Sequence, residues 1–388
     1  MTDLSYDFDH LDNLMEVAGL DALLVTSKHN VQYLLGGYKF IFFSAMDAIG
    51  HGRYLPVIVY IKGARDKTAY VANTMEKGEH ENAPFWVPHF YPMAWGSVDS
   101  MQQAITHLEK IRFTKGRIGV EPPFLPSDSQ DLLRDALPNS AFLDATSVLE
   151  NLRAVKSPTE LALLREASAK ITAAMQATIS ASSAGSTKHE IIERLRQEET
   201  KRGLEFDYCL LTLGASHNRA GSDQAWAEGE VLSIDSGGNL HGYIGDICRM
   251  GVLGEPDSEL VDLLGEIEEI QQAAFSQVKA GVPGAAVIAA GQASLAEQPN
   301  RQYTDFFGHG MGLVSHEAPF LLTNHPVTYE GRDADTPLKA GMVLSIETHM
   351  QHPKRGFIKL EDTLTVTDTG YEMFGTEGRG WNRGGTAT

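Results

Sequence analysis

Five side chains that can bind metal ions stand in the C-terminal part of the sequence: Asp235, Asp246, His309, Glu347 and Glu361. The two aspartates are eleven residues apart in SIDSGGNLHGYIGDICR, and the histidine lies in FFGHGMGLVSHEAP. Four carboxylates and one imidazole can hold two divalent cations side by side, because carboxylates bridge the ions and offset their mutual repulsion. The chemistry that such a set predicts is metal-assisted hydrolysis.

The four carboxylates interrupt apolar runs that read as β-strands. Asp235 and Glu347 each close a Val-Leu-Ser-Ile run, Asp246 precedes Ile-Cys, and Glu361 follows Ile-Lys-Leu. Taken singly, each would more simply be a cap or a surface charge. Together they would place unpaired carboxylates in an apolar interior, which is costly unless a cation is shared among them.

The C-terminal part has the elements needed to position these ligands. Helices are predicted at 158–182 and 187–202, each opened by a capping box, and at 258–278. Strands are predicted at 208–213, 231–235, 243–250, 343–350 and 357–366. Each proposed carboxylate ligand falls in a predicted strand, whose stiff backbone fixes the geometry of its side chains.

The N-terminal part reads as a separate α/β domain. Short apolar strands are predicted at 21–26, 55–62, 68–73, 117–121 and 141–146, with helices at 8–18 and 127–137. The SPTE segment that begins at Ser157 combines an N-cap, a first-turn proline and a capping-box glutamate, and it follows the boundary between the two parts.

Composition excludes several classes of partner. The chain has 388 residues and a net charge of −19, which argues against binding to nucleic acid or to an anionic membrane surface. No apolar run approaches a membrane span, and the start of the sequence does not resemble a signal peptide. We therefore expect a cytoplasmic protein. Its two cysteines, Cys209 and Cys248, are expected to be buried free thiols.

On these residues the chain resembles the creatinase/aminopeptidase P/prolidase superfamily, the M24 metallopeptidases. The resemblance covers nearly the whole chain: the N-terminal part loosely, the segment NLRAVKSPTELALLREAS well, and the five-ligand pattern most specifically. It implies an α/β N-terminal domain over residues 1–150. It also implies an α+β catalytic domain with the "pita-bread" fold over residues 151–388, and a homodimer.

The resemblance also implies roles for the ligands. Asp235 would chelate one ion, His309 and Glu347 the other, and Asp246 and Glu361 would bridge the two. One nitrogen among many oxygens makes a hard site, which favours two Mn²⁺ ions, with Co²⁺, Fe²⁺ or Zn²⁺ as alternatives. A water between the ions would become the nucleophile, and Glu347 would accept its proton.

Three further residues are candidates for contact with the substrate. His316 matches a family position thought to stabilise charge on the substrate carbonyl oxygen. His217 precedes Asp235 by eighteen residues, one more than is usual for a family histidine. Lys359 stands two residues before Glu361, where peptidases of this group often have arginine; lysine keeps the charge but loses the two-pronged hydrogen bonding.

Three functions remain open on the sequence alone. The first is hydrolysis of the Xaa-Pro bond of dipeptides or of peptide N-termini. The second is a creatinase-like, ectoine hydrolase-like or dimethylsulfoniopropionate lyase-like reaction on a small non-peptide molecule. Lys359 and the Ser-His-Asn of residues 216–218 favour this second function. The third, an inactive binding module, is disfavoured because no proposed ligand has been lost.

Overall fold

A computed structural model describes residues 7–50, 52–321 and 331–386. Between Arg153 and Ala154 the chain divides into two compact units. The division into an N-terminal domain over residues 1–150 and a catalytic domain over residues 151–388 stays a prediction.

The N-terminal unit is built on a mixed six-stranded sheet in the order β4-β3-β2-β1-β5-β6. Its strands are β1 Ala22–Val25, β2 Val57–Ile61, β3 Ala69–Asn73, β4 His89–Ala94, β5 Arg117–Val120 and β6 Ala141–Asp144. Its helices are α1 Phe8–Ala18, α2 Lys28–Leu34, α3 Lys77–Asn82, α4 Ser97–Lys110, α5 Ser127–Ala136 and α6 Thr146–Ala154, the last of which crosses the division between the units.

Apolar side chains of the inner strands and of α4 form the core of this unit. Val57 and Val59 from β2 pack with Met101 and Leu108 from α4, and all four are fully buried. All five strands predicted from the sequence are present as β1, β2, β3, β5 and β6. Strand β4 and helix α4 were not predicted: β4 forms one edge of the sheet, and α4 packs against β2, β3 and β4.

The C-terminal unit carries four long helices and the larger sheet. The helices are α7 Pro158–Ala181, α8 Lys188–Lys201, α9 Ser258–Phe275 and α10 Gly284–Glu297. The strands are β7 Glu205–Leu213, β8 Val231–Leu240, β9 Tyr243–Leu253, β10 Thr304–Gly310, β11 Val343–His352, β12 Gly356–Val366, β13 Tyr371–Phe374 and β14 Asn382–Gly384. Both predicted capping boxes are present, Ser157 with Glu160 and Thr187 with Glu190.

The strands of this larger sheet run in the order β10-β11-β12-β9-β8-β7, with β13 paired to β12 and β14 paired to β9. Helix α7 packs against β8 and β9, while α9 packs against β11 and β12. Because helices cover these strands, nearly every position of β8, β9, β11 and β12 is buried. A carboxylate on such a strand is therefore withdrawn from water.

A buried arginine connects the sheet to the end of the chain. Arg249 of β9 pairs with Asp362 of β12 at 2.8 Å, and both side chains are fully buried. The same guanidinium donates to the carbonyl oxygens of Gly375 at 2.6 Å and Glu377 at 2.8 Å. The segment after β12 thereby completes the hydrogen bonding of a core residue.

Both cysteines are free, as the sequence predicts. Cys248 is fully buried, whereas Cys209 is only partly buried. Burial raises the pKa of both thiols, so neither is set up as a reactive thiolate. Separately, none of the helices in the described parts of the chain is long and apolar enough to span a membrane.

Candidate metal centre

Strand register brings the four predicted carboxylate ligands to one region of the larger sheet. In the β8–β9 pair, Asp235 lies opposite Cys248, and Cys248 stands two residues after Asp246 on β9. In the β11–β12 pair, Glu347 lies directly opposite Glu361, and Glu361 is also paired with Cys248 of β9. Each of the four carboxylates is at most 4% exposed. The sheet thus concentrates negative charge in its interior.

His309 reaches the same region from β10. It pairs with Ser345 of β11, so its ring lies beside the Glu347 and Glu361 carboxylates. Its Nε2 is 3.4 Å from Glu347 Oε1 and 3.6 Å from Glu361 Oε1, and among the described residues this buried nitrogen has no hydrogen-bond partner. Ligands around one ion are expected to lie at such separations, since each would stand about 2 Å from the metal.

Glycines on either side of His309 allow this close packing. A Cβ on Gly310 would meet the Glu317 carbonyl oxygen at 2.4 Å, and one on Gly308 would meet Ile346 Cδ1 at 2.8 Å. The glycines of the GHGMG segment therefore serve the packing of β10 between its neighbours.

Two groups of side chains offer ligand atoms close enough to share an ion. They are Asp246, His309 and Glu361, and His309, His316 and Glu347; the ligand atoms of each group lie within 4.8 Å of one another. The donor set fits a divalent metal, because buried carboxylates need a counter-charge and the partnerless His309 nitrogen needs an acceptor of its lone pair or of its proton.

Asp235 is held differently, by cationic side chains. The Lys359 ammonium lies 2.6 Å from Asp235 Oδ2 and 2.8 Å from Glu361 Oε2, and it also contacts Glu347 Oε2. Arg219 Nη2 contacts the same Asp235 oxygen. Lysine at position 359 thus points into the site, as its spacing from Glu361 predicts, and uses its three donors on three proposed ligands.

The two predicted histidines have different environments. The His316 ring stacks on His309 with 3.9 Å between ring centroids. Burial, followed by the neighbouring His309 charge, lowers the pKa of His316 to about 3, so its imidazole is neutral at pH 7. His217 is exposed, with Nε2 3.4 Å from the His352 carbonyl oxygen. The structure does not bring His217 into the cluster.

The mutual electrostatics of the cluster follow from burial and charge. Burial and the Glu361 charge raise the pKa of both Asp246 and Glu347. Burial also acts to raise the pKa of Glu361, but the Lys359 ammonium and His309 together outweigh it and hold that pKa well below its ordinary value. Burial lowers the pKa of His309, yet Glu347 and Glu361 together raise it to about 10. Cations are therefore strongly favoured here.

Polar residues that the sequence analysis did not identify hold the ligands in place. Tyr208 donates its hydroxyl to Asp246 Oδ1 at 2.5 Å, and Ser345 donates to Glu361 Oε1 at 2.8 Å. The Thr363 hydroxyl donates to the Asp246 carbonyl oxygen at 2.9 Å. Ser345 and Thr363 could have been found from their position two residues from a ligand on the same strand face, whereas Tyr208 depends on pairing between distant strands.

A cleft of about 260 Å³ opens onto the cluster. Besides the four carboxylates, Lys359 and His316, its described lining comprises Tyr208, Leu210, Arg219, Phe307, Ser315 and His349. Phe357, behind this lining, packs against the His349 ring at 5.1 Å and beneath the Arg219 guanidinium at 5.1 Å. The cleft combines an anionic floor with a cationic and aromatic wall.

Comparison with known proteins identifies the family of this chain. The sequence profile described as metallopeptidase family M24 matches residues 162–368, and that of the creatinase/prolidase N-terminal domain matches residues 8–155. The chain belongs to metallopeptidase family M24, which confirms the resemblance drawn from the ligand pattern. Membership implies divalent metal ions, in agreement with the two ligand groups found in the sheet.

Among related sequences, the "Probable dipeptidase PepE" of Mycobacterium bovis is 31% identical over 232 residues. That match covers 58% of this chain and spans 60% of the length of the relative. The "Xaa-Pro dipeptidase" of Pyrococcus horikoshii is 24% identical over 362 residues, covering 92% of this chain and 93% of that protein.

Solved structures agree with the fold over both units. An Xaa-Pro dipeptidase from Bacillus anthracis superposes with a TM-score of 0.81 at 21% identity, covering 97% of this chain and 98% of that one. An X-Pro aminopeptidase from Thermotoga maritima gives a TM-score of 0.78 at 20% identity, covering 97% and 99%. The predicted fold, an α/β N-terminal domain followed by an α+β pita-bread domain, is confirmed.

Proposed function

We propose that this protein is a metal-dependent hydrolase that cleaves the bond between an N-terminal residue and proline, in dipeptides or at peptide N-termini. The observation that carries the proposal is the convergence of the buried Asp246, Glu347 and Glu361 carboxylates on His309, at a cleft that Asp235 also lines. The names of the relatives, a dipeptidase and an Xaa-Pro dipeptidase, support the choice of substrate class.

In this proposal two divalent ions, manganese in preference to cobalt, iron or zinc, are held by the five ligands in the roles that the family resemblance implies. Asp235 would bind one, His309 and Glu347 would bind the other, and Asp246 and Glu361 would be shared between them. When bound, the ions lower the pKa of water and so supply a hydroxide nucleophile at neutral pH.

The remaining steps fall to the side chains around the cluster. Glu347, whose pKa is raised by burial, is suited to accept a proton and pass it to the leaving proline nitrogen. His316 is neutral and adjacent to His309, so it can donate a hydrogen bond to the oxygen on which charge develops. Lys359 keeps the ligands in one arrangement through its three contacts.

A small substrate suits the cleft, whose volume of about 260 Å³ lies just below the usual range of about 300–1,000 Å³ for ligand pockets. We keep as predictions a homodimeric, cytoplasmic protein that binds neither nucleic acid nor membrane. The domain roles, with residues 151–388 catalytic and residues 1–150 accessory, belong to the same proposal.

The alternative is a small non-peptide substrate, as in creatinase-like, ectoine hydrolase-like or dimethylsulfoniopropionate lyase-like enzymes. Lys359, in a position where peptidases of this group often have arginine, favours it. The exposed position of His217 counts against the small-molecule alternative, because in that reaction His217 would act as the general acid or base.

The deciding experiment is an assay of metal-stripped protein after addition of Mn²⁺. The substrates are Xaa-Pro dipeptides, longer Xaa-Pro peptides, creatine, ectoine and dimethylsulfoniopropionate. We expect metal-dependent cleavage of the Xaa-Pro compounds. Fully metallated protein that cleaves no Xaa-Pro compound but turns over one of the others would replace the first function with the alternative.

A further inference from the structure

Arg219 enters the cleft from the loop between β7 and β8. Its backbone is fixed there, because its carbonyl oxygen accepts a hydrogen bond of 2.9 Å from the Leu211 N–H. Its guanidinium packs over the Phe357 ring at 5.1 Å and touches Asp235 through Nη2. A third of the side chain remains exposed, whereas Lys359 is only 4% exposed.

Arg219 is therefore the cation of the described cleft lining that a ligand can reach. A guanidinium has five N–H donors in a planar fork, and the contact with Asp235 involves only the Nη2 nitrogen. The Lys359 ammonium already contacts Asp235, Glu347 and Glu361, so these carboxylates have a positive partner besides Arg219.

The charge count of the site points the same way. Four carboxylates line the cleft, and two cationic side chains face them. Two divalent ions would neutralise the carboxylates and leave two positive charges in excess. A hydroxide nucleophile offsets one of these charges, and an anionic group of the substrate can offset the other.

The position of Arg219 limits which anionic group of the substrate it can bind. Arg219 touches Asp235, itself a proposed metal ligand, so a group bound to the guanidinium lies close to the reacting bond. In a prolyl dipeptide the free carboxylate follows the scissile bond by a single residue, and one residue advances a peptide chain by about 3.8 Å. A carboxylate further along a longer peptide would lie beyond this reach.

We propose that Arg219 is a specificity-determining residue that binds the free C-terminal carboxylate of an Xaa-Pro dipeptide. This inference rests on the proposed function and narrows it from peptides in general to dipeptides. The competing role for Arg219 is a purely structural one, in which it holds Asp235 in position for the metal.

The test compares L-alanyl-L-proline with L-alanyl-L-prolinamide, which lacks the carboxylate charge. We expect the wild-type protein to prefer the acid, and Arg219→Gln to lower that preference in kcat/KM roughly 10- to 100-fold, as the loss of a hydrogen bond to a charged group predicts. The change should appear mainly in KM. Arg219→Lys should recover part of the preference, because the charge remains but the fork is lost.

A matched control is Arg196→Gln, on α8. Arg196 likewise packs over an aromatic ring, Phe206 at 4.1 Å, and pairs with a carboxylate, Glu193 at 3.3 Å, but lies outside the cleft lining. This variant should keep the wild-type preference for the acid.

Two measurements independent of turnover separate the possible roles. Elemental analysis should find as much metal in Arg219→Gln as in wild type, and calorimetry should show that Mn²⁺-loaded wild type binds L-proline more tightly than L-prolinamide. Metal loss in Arg219→Gln equal to that in Asp235→Asn would overturn the inference in favour of the structural role. Equal cleavage of acid and amide by wild type would overturn it while leaving Xaa-Pro hydrolysis intact, and cleavage of neither would defeat the proposed function itself.

Discussion

Lys359 carries the main departure of this chain from its family pattern, and the structure gives that residue a physical role. Burial alone would lower the pKa of its ammonium, but Asp235, Glu347 and Glu361 together hold the pKa well above its ordinary value. The residue is therefore a permanent positive charge among the proposed ligands. It stabilises the cluster of carboxylates before any divalent ion arrives.

Replacing this charge should destabilise the metal-free protein much more than the metal-loaded protein. We expect Lys359→Met to lower the free energy of unfolding of metal-free protein by about 3–5 kcal/mol, because buried carboxylates lose their partner. With saturating Mn²⁺ most of this difference should disappear. Urea denaturation with and without the ion measures both, and Lys354→Met, at an exposed lysine, should stay within about 0.5 kcal/mol of wild type. An equal loss in both states would refute a counter-charge role.

The ligand roles make a prediction about metal content. Because Asp246 and Glu361 are proposed to contact both ions, Asp246→Asn should cost both, whereas His309→Ala should weaken mainly one. Elemental analysis of the purified variants gives the counts, with the exposed Asp368→Asn as control. Wild-type protein that acquires no metal and is equally active without it would rule out a metal mechanism.

At the scale of elements, the sequence predicted those strands and helices whose own residues specify them. Strand β12 is rich in apolar and β-branched residues, which favour a strand, and the start of α7 is marked by a capping box. Strand β10 was not recognised, because TDFFGHG contains two glycines and has little intrinsic strand propensity. Pairing with β11, which follows it by more than thirty residues, holds it in place.

The same reasoning explains which parts of the site could be predicted. The five ligands follow from residue type and spacing, and Lys359 follows from strand alternation. Helix α10 was missed because GAAVIAAGQASLAE has no clear polar face. Arg219 was not predicted, because the path of the loop between β7 and β8 depends on contacts with Asp235 and Phe357 that are distant in sequence.

Helix α8 contains a buried carboxylate whose ionisation should oppose folding. Glu199 lies in the last helical turn, where negative charge is unfavourable, and accepts a hydrogen bond from Ser236 at 3.1 Å. Burial raises its pKa from 4.5 to about 8. The folded chain thus retains a proton that the unfolded chain releases, so this contribution to stability is complete below about pH 4.5 and is lost as pH rises toward 8.

Glu199→Gln should remove this pH dependence. The free energy of unfolding of the variant, relative to wild type, should rise between pH 5 and 8 by at most about 1.4 kcal/mol per pH unit. Urea titrations at several pH values measure the difference, and Glu193→Gln on the exposed side of the same helix should show no such trend. A difference independent of pH would mean that Glu199 ionises normally in the folded protein.

At the scale of the whole molecule, the ion pair between Arg249 and Asp362 joins β9, β12 and the segment after β12. We expect Asp362→Asn to cost about 3–5 kcal/mol in free energy of unfolding, because it leaves the arginine charge buried without its main partner. Calorimetric or urea unfolding checks this, with the exposed Asp368→Asn as control. A cost below about 1 kcal/mol would mean that the carbonyl oxygens of Gly375 and Glu377 suffice for Arg249.

The carbonyl oxygens of Gly375 and Glu377 also have a consequence for the order in which the chain folds during synthesis. Synthesis runs from the N-terminus, so Arg249 and all five proposed ligands leave the ribosome before the residues around Gly375 and Glu377. Until that segment emerges, the guanidinium behind Glu361 has Asp362 and the carbonyl oxygens of Cys248 and Glu361 as acceptors, but it lacks the two later carbonyl oxygens. We therefore expect the sheet that carries the proposed ligands to reach its final packing only after the segment that contains Gly375 and Glu377 has been synthesised.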